Sequence, residues 1–393
     1  MSSAAATMAR GSSQKIANVY NVYDIVCPKE APRGRAGATS ERLGRAGEGE
    51  RMGEKDEMGK AVGAGAEVRV QDEVAEVVAN ALRGRDVTHV AWVAAGGSNG
   101  GFYAAHYFME RECATVSSHM YTSNEFVLAP PAYVDEHTLC VICSMRGTKE
   151  TCEAARVAKE LGAATVALYV NESDLTRTCD QRIAYESIAL DQSRTERVNS
   201  SIALMIAMSL ANQVEGYDRY DEAMRAFDVV DGIYRKAFAR MQEPAREWAA
   251  RMAGERTIYV MGSGPAYGSA YIFSICNIEE MLQIDSPTIN SCEFFHGPFE
   301  VLDATKPVFL LLSAGRCRPA DERALRFLRR YGGANVYVLD GMDLGLGELP
   351  QGVREYFNHI LFSPILNNVY MRALSAATGK DYMTRRYMWK VEY

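Results

Sequence analysis

Long hydrophobic runs are missing from this chain of 393 residues. Nowhere do about 18 apolar residues follow one another, so the sequence offers no membrane-spanning helix. The N-terminus also lacks the continuous apolar stretch of a secretory signal, which sets the expectation of a cytoplasmic protein with no membrane partner. Positive charge is not in surplus: 43 Lys and Arg against 50 Asp and Glu leave a net charge of -7. That is the reverse of the basic footprint of a nucleic-acid binder. An anionic ligand would have to be met by local donors. Histidine is scarce, at six, and neither it nor the nine cysteines fall at metal-ligand spacing. No metal and no other cofactor is therefore expected. GxGxxG and the lysine of a P-loop are absent too, which disfavours a nucleotide.

What is present is enough apolar residue for two cores, 48% of the chain. Residues 1–66 are the exception. They are rich in Ala, Gly, Ser, Arg and Glu and cannot bury enough surface to order themselves. They read as a flexible leader, or as upstream sequence before a start at Met52 or Met58. From 67 the pattern is α/β. Nearly continuous apolar strands (THVAWVAA, LCVICS, ATVALYV) alternate with helical stretches, the signature of a parallel sheet covered on both faces. Cys140 and Cys143 form a CxxC inside one such strand, where side chains alternate between faces, so they read as buried structural thiols. A first domain is expected over 67–216 and a helical connector over 217–255. A second domain over 256–380 and a tail over 381–393 follow.

The two domains repeat one another. AAGGSNGGF and MGSGPAYG each join a strand to a helix. SNEF (123–126) and SCEF (291–294) follow about 30 residues later, and then CSMRGTKET and LSAGRCRPADE. Three features in the same order indicate an internal duplication. A strand running through a Gly/Ser turn into a helix start leaves backbone N–H groups free for an anion. Gly97 and Ser98 supply such a turn, and Ser144, Arg146 and Thr148 a second on a neighbouring strand end, alongside Thr151. Open α/β sheets bind ligands at that edge. The alternative is plain turn chemistry.

The densest polar cluster is NSCEFFHGPFE (290–300). His296, fixed before Gly-Pro and beside Glu293 and Glu300, is the best general acid–base candidate, since imidazole titrates near working pH. The other five histidines fall in or at the ends of expected strands and helices. Glu280 ends the apolar helix YIFSICNIEEM, where a buried carboxylate would be costly without a purpose. Glu279 beside it remains open as the inward-facing residue.

The duplicated strand–GGS–helix unit with SxEF and EF-x-HGP resembles the sugar isomerase (SIS) domain family over about residues 67 to 393. EFFHGPFE, ADERALRFLRRYG and TRRYMWKVEY look especially like deglycases of 6-phosphofructose-aspartate. Fructoselysine 6-phosphate deglycases share the HGP turn and a VEY ending. The resemblance implies two tandem SIS domains, each a flavodoxin-like parallel sheet between helices. It implies a catalytic carboxylate and histidine at Glu280 and His296, and phosphate binding by Ser98, Ser144 and Thr148. It also implies that Lys390, in the tail, lies over the sugar, and that a homodimer shares its active sites. The turn after Ser144 is one residue shorter than usual in that family, Cys292 stands where Gly is common, and Ser200 where Lys is common. The expected partner is a phosphorylated sugar–amino acid conjugate. The alternatives are a fructoselysine or glucoselysine 6-phosphate deglycase, another aldose–ketose sugar-phosphate isomerase, and a non-catalytic sugar-phosphate sensor.

Overall fold

The expected alternation is realised in a computed structural model that describes residues 68–392. The leader, residues 1–66, lies outside the described residues. Among these, two parallel sheets form. The first is built from β1 (His89–Ala94), β2 (Ser117–Thr122), β3 (Thr138–Cys143), β4 (Ala164–Tyr169) and β5 (Gln181–Ala184). Its order is β2-β1-β3-β4-β5. The second has β6 (Tyr259–Gly262), β7 (Thr288–Asn290), β8 (Val308–Leu312) and β9 (Val336–Asp340), in the order β7-β6-β8-β9. In both, the first strand lies between the second and third, so the repeat seen in the sequence recurs in the topology.

The strands read as continuous apolar runs because both faces are covered. All six residues of β3 are buried. Cys140 packs with Ala91 and Val93 on one face, and Cys143 joins Trp92 in the core on the other. The CxxC thus splits across the sheet as its alternation requires. Helix Asn199–Val214 is buried along nearly its whole length, so its Met and Leu stripe is core. Helix Tyr220–Met252 joins the halves. Its Trp248 meets Phe309 edge-on, centroids 5.0 Å apart, and packs on Phe273 and Tyr370. Burying each such side chain contributes about 1.5–3 kcal/mol. No helix among the described residues is long and apolar enough to cross a membrane.

The halves meet where two glycine-containing helices cross. A Cβ on Gly268 would sit 2.5 Å from Cβ of Tyr103 and 3.0 Å from the carbonyl oxygen of Gly100. Each repeat's strand–turn–helix glycine therefore lets its helix approach the other. Helix Ala266–Ile272 then departs from expectation. The stretch read as one regular helix continues as a π-helix over Phe273–Met281. A second π-helix spans Leu366–Met371. π turns are rare and concentrate at functional sites, and the first of these two carries Glu280.

Candidate active site

The switch point of the first sheet lies between β1 and β3, whose last residues, Ala94 and Cys143, are register partners. In a sheet of this order the crevice beyond those strand ends is where ligands bind. After β1, Gly96 turns the chain with φ +55. The short helix Gly96–Gly101 follows, with no side chain capping its first N–H groups. Asn99 pins it by donating to the Tyr121 carbonyl at 2.9 Å. Ser98 lies beside the Cys143 thiol and the Tyr185 hydroxyl. Burial pushes the Cys143 thiol up to about 11, so it stays a neutral partner there. Arg146 brings its charge near the Tyr185 hydroxyl.

Ser144 organises the second loop. Its Oγ accepts the N–H groups of Gly147 and Thr148, both at 3.1 Å. Two acceptor positions are then used and the single O–H remains to donate. Gly147, at φ +70, packs on Ser173 with no room for a Cβ. Thr148 shares a hydrogen bond with Thr151 (2.9 Å), and Thr151 with buried Ser123 (2.8 Å). The Ser of the SNEF element thus anchors this loop, and Phe126 of the same element is core.

Glu280 approaches this crevice through Cys276. A Cβ on Gly97 would lie 3.5 Å from the Cys276 sulfur. The Gly97 N–H reaches that sulfur, and Cys276 in turn feels the charges of Glu280 and Arg385. Desolvation pushes the Cys276 thiol up to about 12. The choice between neighbouring carboxylates becomes geometric. Glu279 is exposed and accepts the Ser286 N–H at 3.2 Å. Glu280 is half-buried, and its Oε1 accepts from Nε of Arg385 at 2.7 Å. The expected costly lone carboxylate is thus an ion pair, and its cation comes from the tail.

His296 sits in the turn expected of it. Its N–H donates to the Glu293 carbonyl at 2.8 Å, Gly297 takes φ +130, and Pro298 opens a 3₁₀ turn. The loop is clamped by Phe294, Phe295, Phe299 and Phe327, with Arg323 stacked 4.1 Å above Phe295. His296 and Glu293 are exposed, and among the described residues no side-chain hydrogen bond joins His296 to Glu280. Glu293 is felt at the Tyr267 hydroxyl, which burial and then this charge push up. Lys390 is exposed at the end of the tail. The structure therefore gathers Gly97, Ser98, Ser144, Arg146 and Thr148 at one edge, with Glu280 beside them. His296, Glu293 and Lys390 stand apart.

Arg385 went unread in the sequence, where TRRYMWKVEY offers two adjacent arginines and nothing to separate them. The second repeat's version of the Ser144 loop was also opaque. After β8, the N–H groups of Ser313, Ala314 and Arg316 donate to Asp321 (2.9 Å), Asn358 (2.8 Å) and Glu355 (2.9 Å). In the first repeat the loop folds its Gly147 and Thr148 N–H groups onto its own Ser144 hydroxyl, whereas here the acceptors come from Asp321, Asn358 and Glu355.

Two tandem parallel α/β units, with hydroxyls gathered at one switch point and a carboxylate beside them, match the architecture of a class of sugar-phosphate-handling proteins. Comparison with known proteins agrees. The fructosamine deglycase FrlB of Bacillus subtilis (strain 168) is 33% identical over 314 residues, 79% of this chain and 94% of that protein. The fructoselysine 6-phosphate deglycase of Escherichia coli K12 is 23% identical over 270 residues, 68% of this chain and 77% of that one. A crystal structure assigned as a phosphosugar isomerase from Salmonella typhimurium LT2 superposes with a TM-score of 0.80 at 37% identity, covering 82% of this chain and 99% of that chain. No family model matches the chain. The chain belongs to the sugar isomerase (SIS) domain family.

Proposed function

We propose that the chain is a deglycase of 6-phosphorylated Amadori products, cleaving a 1-deoxy-1-(amino acid)-fructose 6-phosphate of the fructose-aspartate type. The observation that carries this is Glu280 held next to the Gly97 loop through Cys276. A base at that rim can reach the carbon end of a sugar whose phosphate is anchored at the β1/β3 edge. The phosphate takes the Ser144 O–H and the N–H of Ser98, with Thr148 and Arg146 beside them. His296 moves the proton at the ring oxygen and opens the ring. Glu280 removes a proton from C1, giving the enaminol. Protonation at C2 gives the imine of the aldose, and one water hydrolyses it to glucose 6-phosphate and the free amino acid. General acid–base groups of this kind contribute about 10²–10⁴-fold each.

The resemblance implies a homodimer with shared sites, in which His296, exposed on a rigid loop, serves the site of a second copy. All eight described cysteines are free thiols, which suits a reducing cytoplasm. The test is incubation with phosphorylated fructose-aspartate and fructose-lysine, with mass detection of the products. Glucose 6-phosphate and free amino acid are expected from one or both, and neither from the unphosphorylated compounds. Aldose–ketose interconversion of fructose 6-phosphate without any release of amino acid would replace this reading by an isomerase.

A further inference from the structure

We infer that Arg385 is a positioning residue for Glu280, an inference that rests on the functional reading above. Arg385 is only 4% exposed although it carries a full charge. Its neighbours in the tail are not: Tyr387 is 63% exposed and Trp389 46%. The tail therefore docks by its guanidinium, with Tyr382 packed on the core, and not by Tyr387 or Trp389.

The guanidinium is held from several sides. Its Nε donates to Oε1 of Glu280 at 2.7 Å, and one terminal nitrogen donates to the Tyr382 carbonyl at 2.6 Å. The Trp389 ring lies 5.7 Å from its central carbon. Trp389 takes φ +61 to lie there, a region that residues with a Cβ seldom adopt. Upstream, Lys380 donates to the Leu282 carbonyl, two residues beyond Glu280. The segment from Lys380 to Trp389 thus closes around the end of the π-helix and touches it at both places.

The consequence is directional. A carboxylate has two oxygens, and Arg385 occupies one of them. Oε1 is fixed against the tail, which holds the carboxylate in one orientation beside Cys276 and the Gly97 loop. A buried ion pair is a poor stabilising device, because desolvation of both charges offsets their attraction. A pair kept at this position is better suited to aiming a base than to holding a tail. Misplacing a reacting group by about 1 Å can cost on the order of 10²-fold in rate.

The test uses the full-length chain with Arg385→Gln and Arg385→Lys, and a substrate carrying hydrogen or deuterium at C1. Arg385→Gln is expected to lower kcat by about 10²-fold with KM little changed, because the phosphate contacts are elsewhere. The C1 isotope effect should grow, since proton removal becomes slower than the other steps. Arg385→Lys should recover part of the loss. Glu280→Gln/Arg385→Gln should turn over no more slowly than Glu280→Gln alone, because an arginine that acts through Glu280 has nothing left to aim. A loss confined to KM would make Arg385 a substrate contact, and multiplying losses in the double variant would make it a merely structural cation. Either result overturns the inference. A parent chain that releases no glucose 6-phosphate sinks the functional reading and this inference together. An active parent with an equally active Arg385→Gln sinks this inference alone.

Discussion

The side-chain amide of Asn277 donates to the amide oxygen of Asn367 at 2.8 Å, and this bond joins the two π-helical segments of the chain. Both residues are buried. The line continues: Asn367 donates to Asn368 at 2.8 Å, and Asn368 to the Tyr234 hydroxyl at 3.1 Å and the Ile188 carbonyl at 2.9 Å. A buried amide network of this kind specifies one register, because each slip leaves polar groups unpaired.

Asn277→Leu should therefore cost about 1–3 kcal/mol, the usual consequence of leaving a buried acceptor without its donor. Adding Asn367→Leu should cost less than the two single losses summed, since the orphaned carbonyl goes with it. Urea unfolding midpoints measure both. Equal, additive losses would mean that the two amides do not act as a pair.

Glu280→Gln should lower kcat by at least about 10²-fold as the base is lost. It should also destabilise the chain by about 1–3 kcal/mol, because a buried guanidinium keeps a hydrogen-bond acceptor but loses its counter-charge. Reading the sequence alone, one expects near-unchanged melting for this isosteric swap; the Arg385 pair reverses that. Glu279→Gln should keep most of the activity, since an amide oxygen can still accept the Ser286 N–H. Steady-state kinetics with thermal melts separate the two, and an inactive Glu279→Gln beside an active Glu280→Gln would reassign the base.

Ser144→Asp gives a cleaner test of the phosphate edge than a bulky acid at Ser98, whose hydroxyl faces Cys143 and Tyr185. A carboxylate at 144 can accept the same two N–H groups of Gly147 and Thr148, so the loop should persist and melting change little. The added negative charge would repel the phosphate, and KM should rise by at least about tenfold. Unchanged KM would move the phosphate elsewhere.

His359 should give the chain an acid-sensitive core. It is fully buried between the hydroxyls of Ser269 and Ser363, and desolvation lowers its pKa from 6.5 to about 3. The folded state therefore holds a neutral ring where the unfolded chain would bind a proton below pH 6.5. The resulting stability is complete above that pH and declines by about 1.4 kcal/mol per unit as pH falls toward 3. Denaturant midpoints from pH 7 to pH 5 should drop more steeply for the parent than for His359→Gln, by about 2 kcal/mol at pH 5. Parallel profiles would show that His359 is not the group responsible.

Local pattern carried much of this protein. The uninterrupted apolar residues of β3 and β8 dictate strands covered on both sides, and the two-residue alternation alone puts Cys140 and Cys143 in different cores. The repeated Gly/Ser turns mark both strand–helix junctions, and Gly-Pro after His296 fixes that turn, because these depend on backbone preferences of adjacent residues. Pairings across the chain were not legible in the same way. Arg385 lies 105 positions from Glu280, and nothing in TRRYMWKVEY distinguishes it from Arg386. Only the folded tail brings one guanidinium under the π-helix and leaves Lys390 exposed. The π register itself is set by Asn277 meeting Asn367, 90 positions on. Sequence likewise shows two similar strand-end loops and cannot say how each is held. Tertiary packing decides it, because Asp321, Glu355 and Asn358, distant in the chain, are folded onto the N–H groups of the second loop, while in the first the local Ser144 hydroxyl accepts those of Gly147 and Thr148.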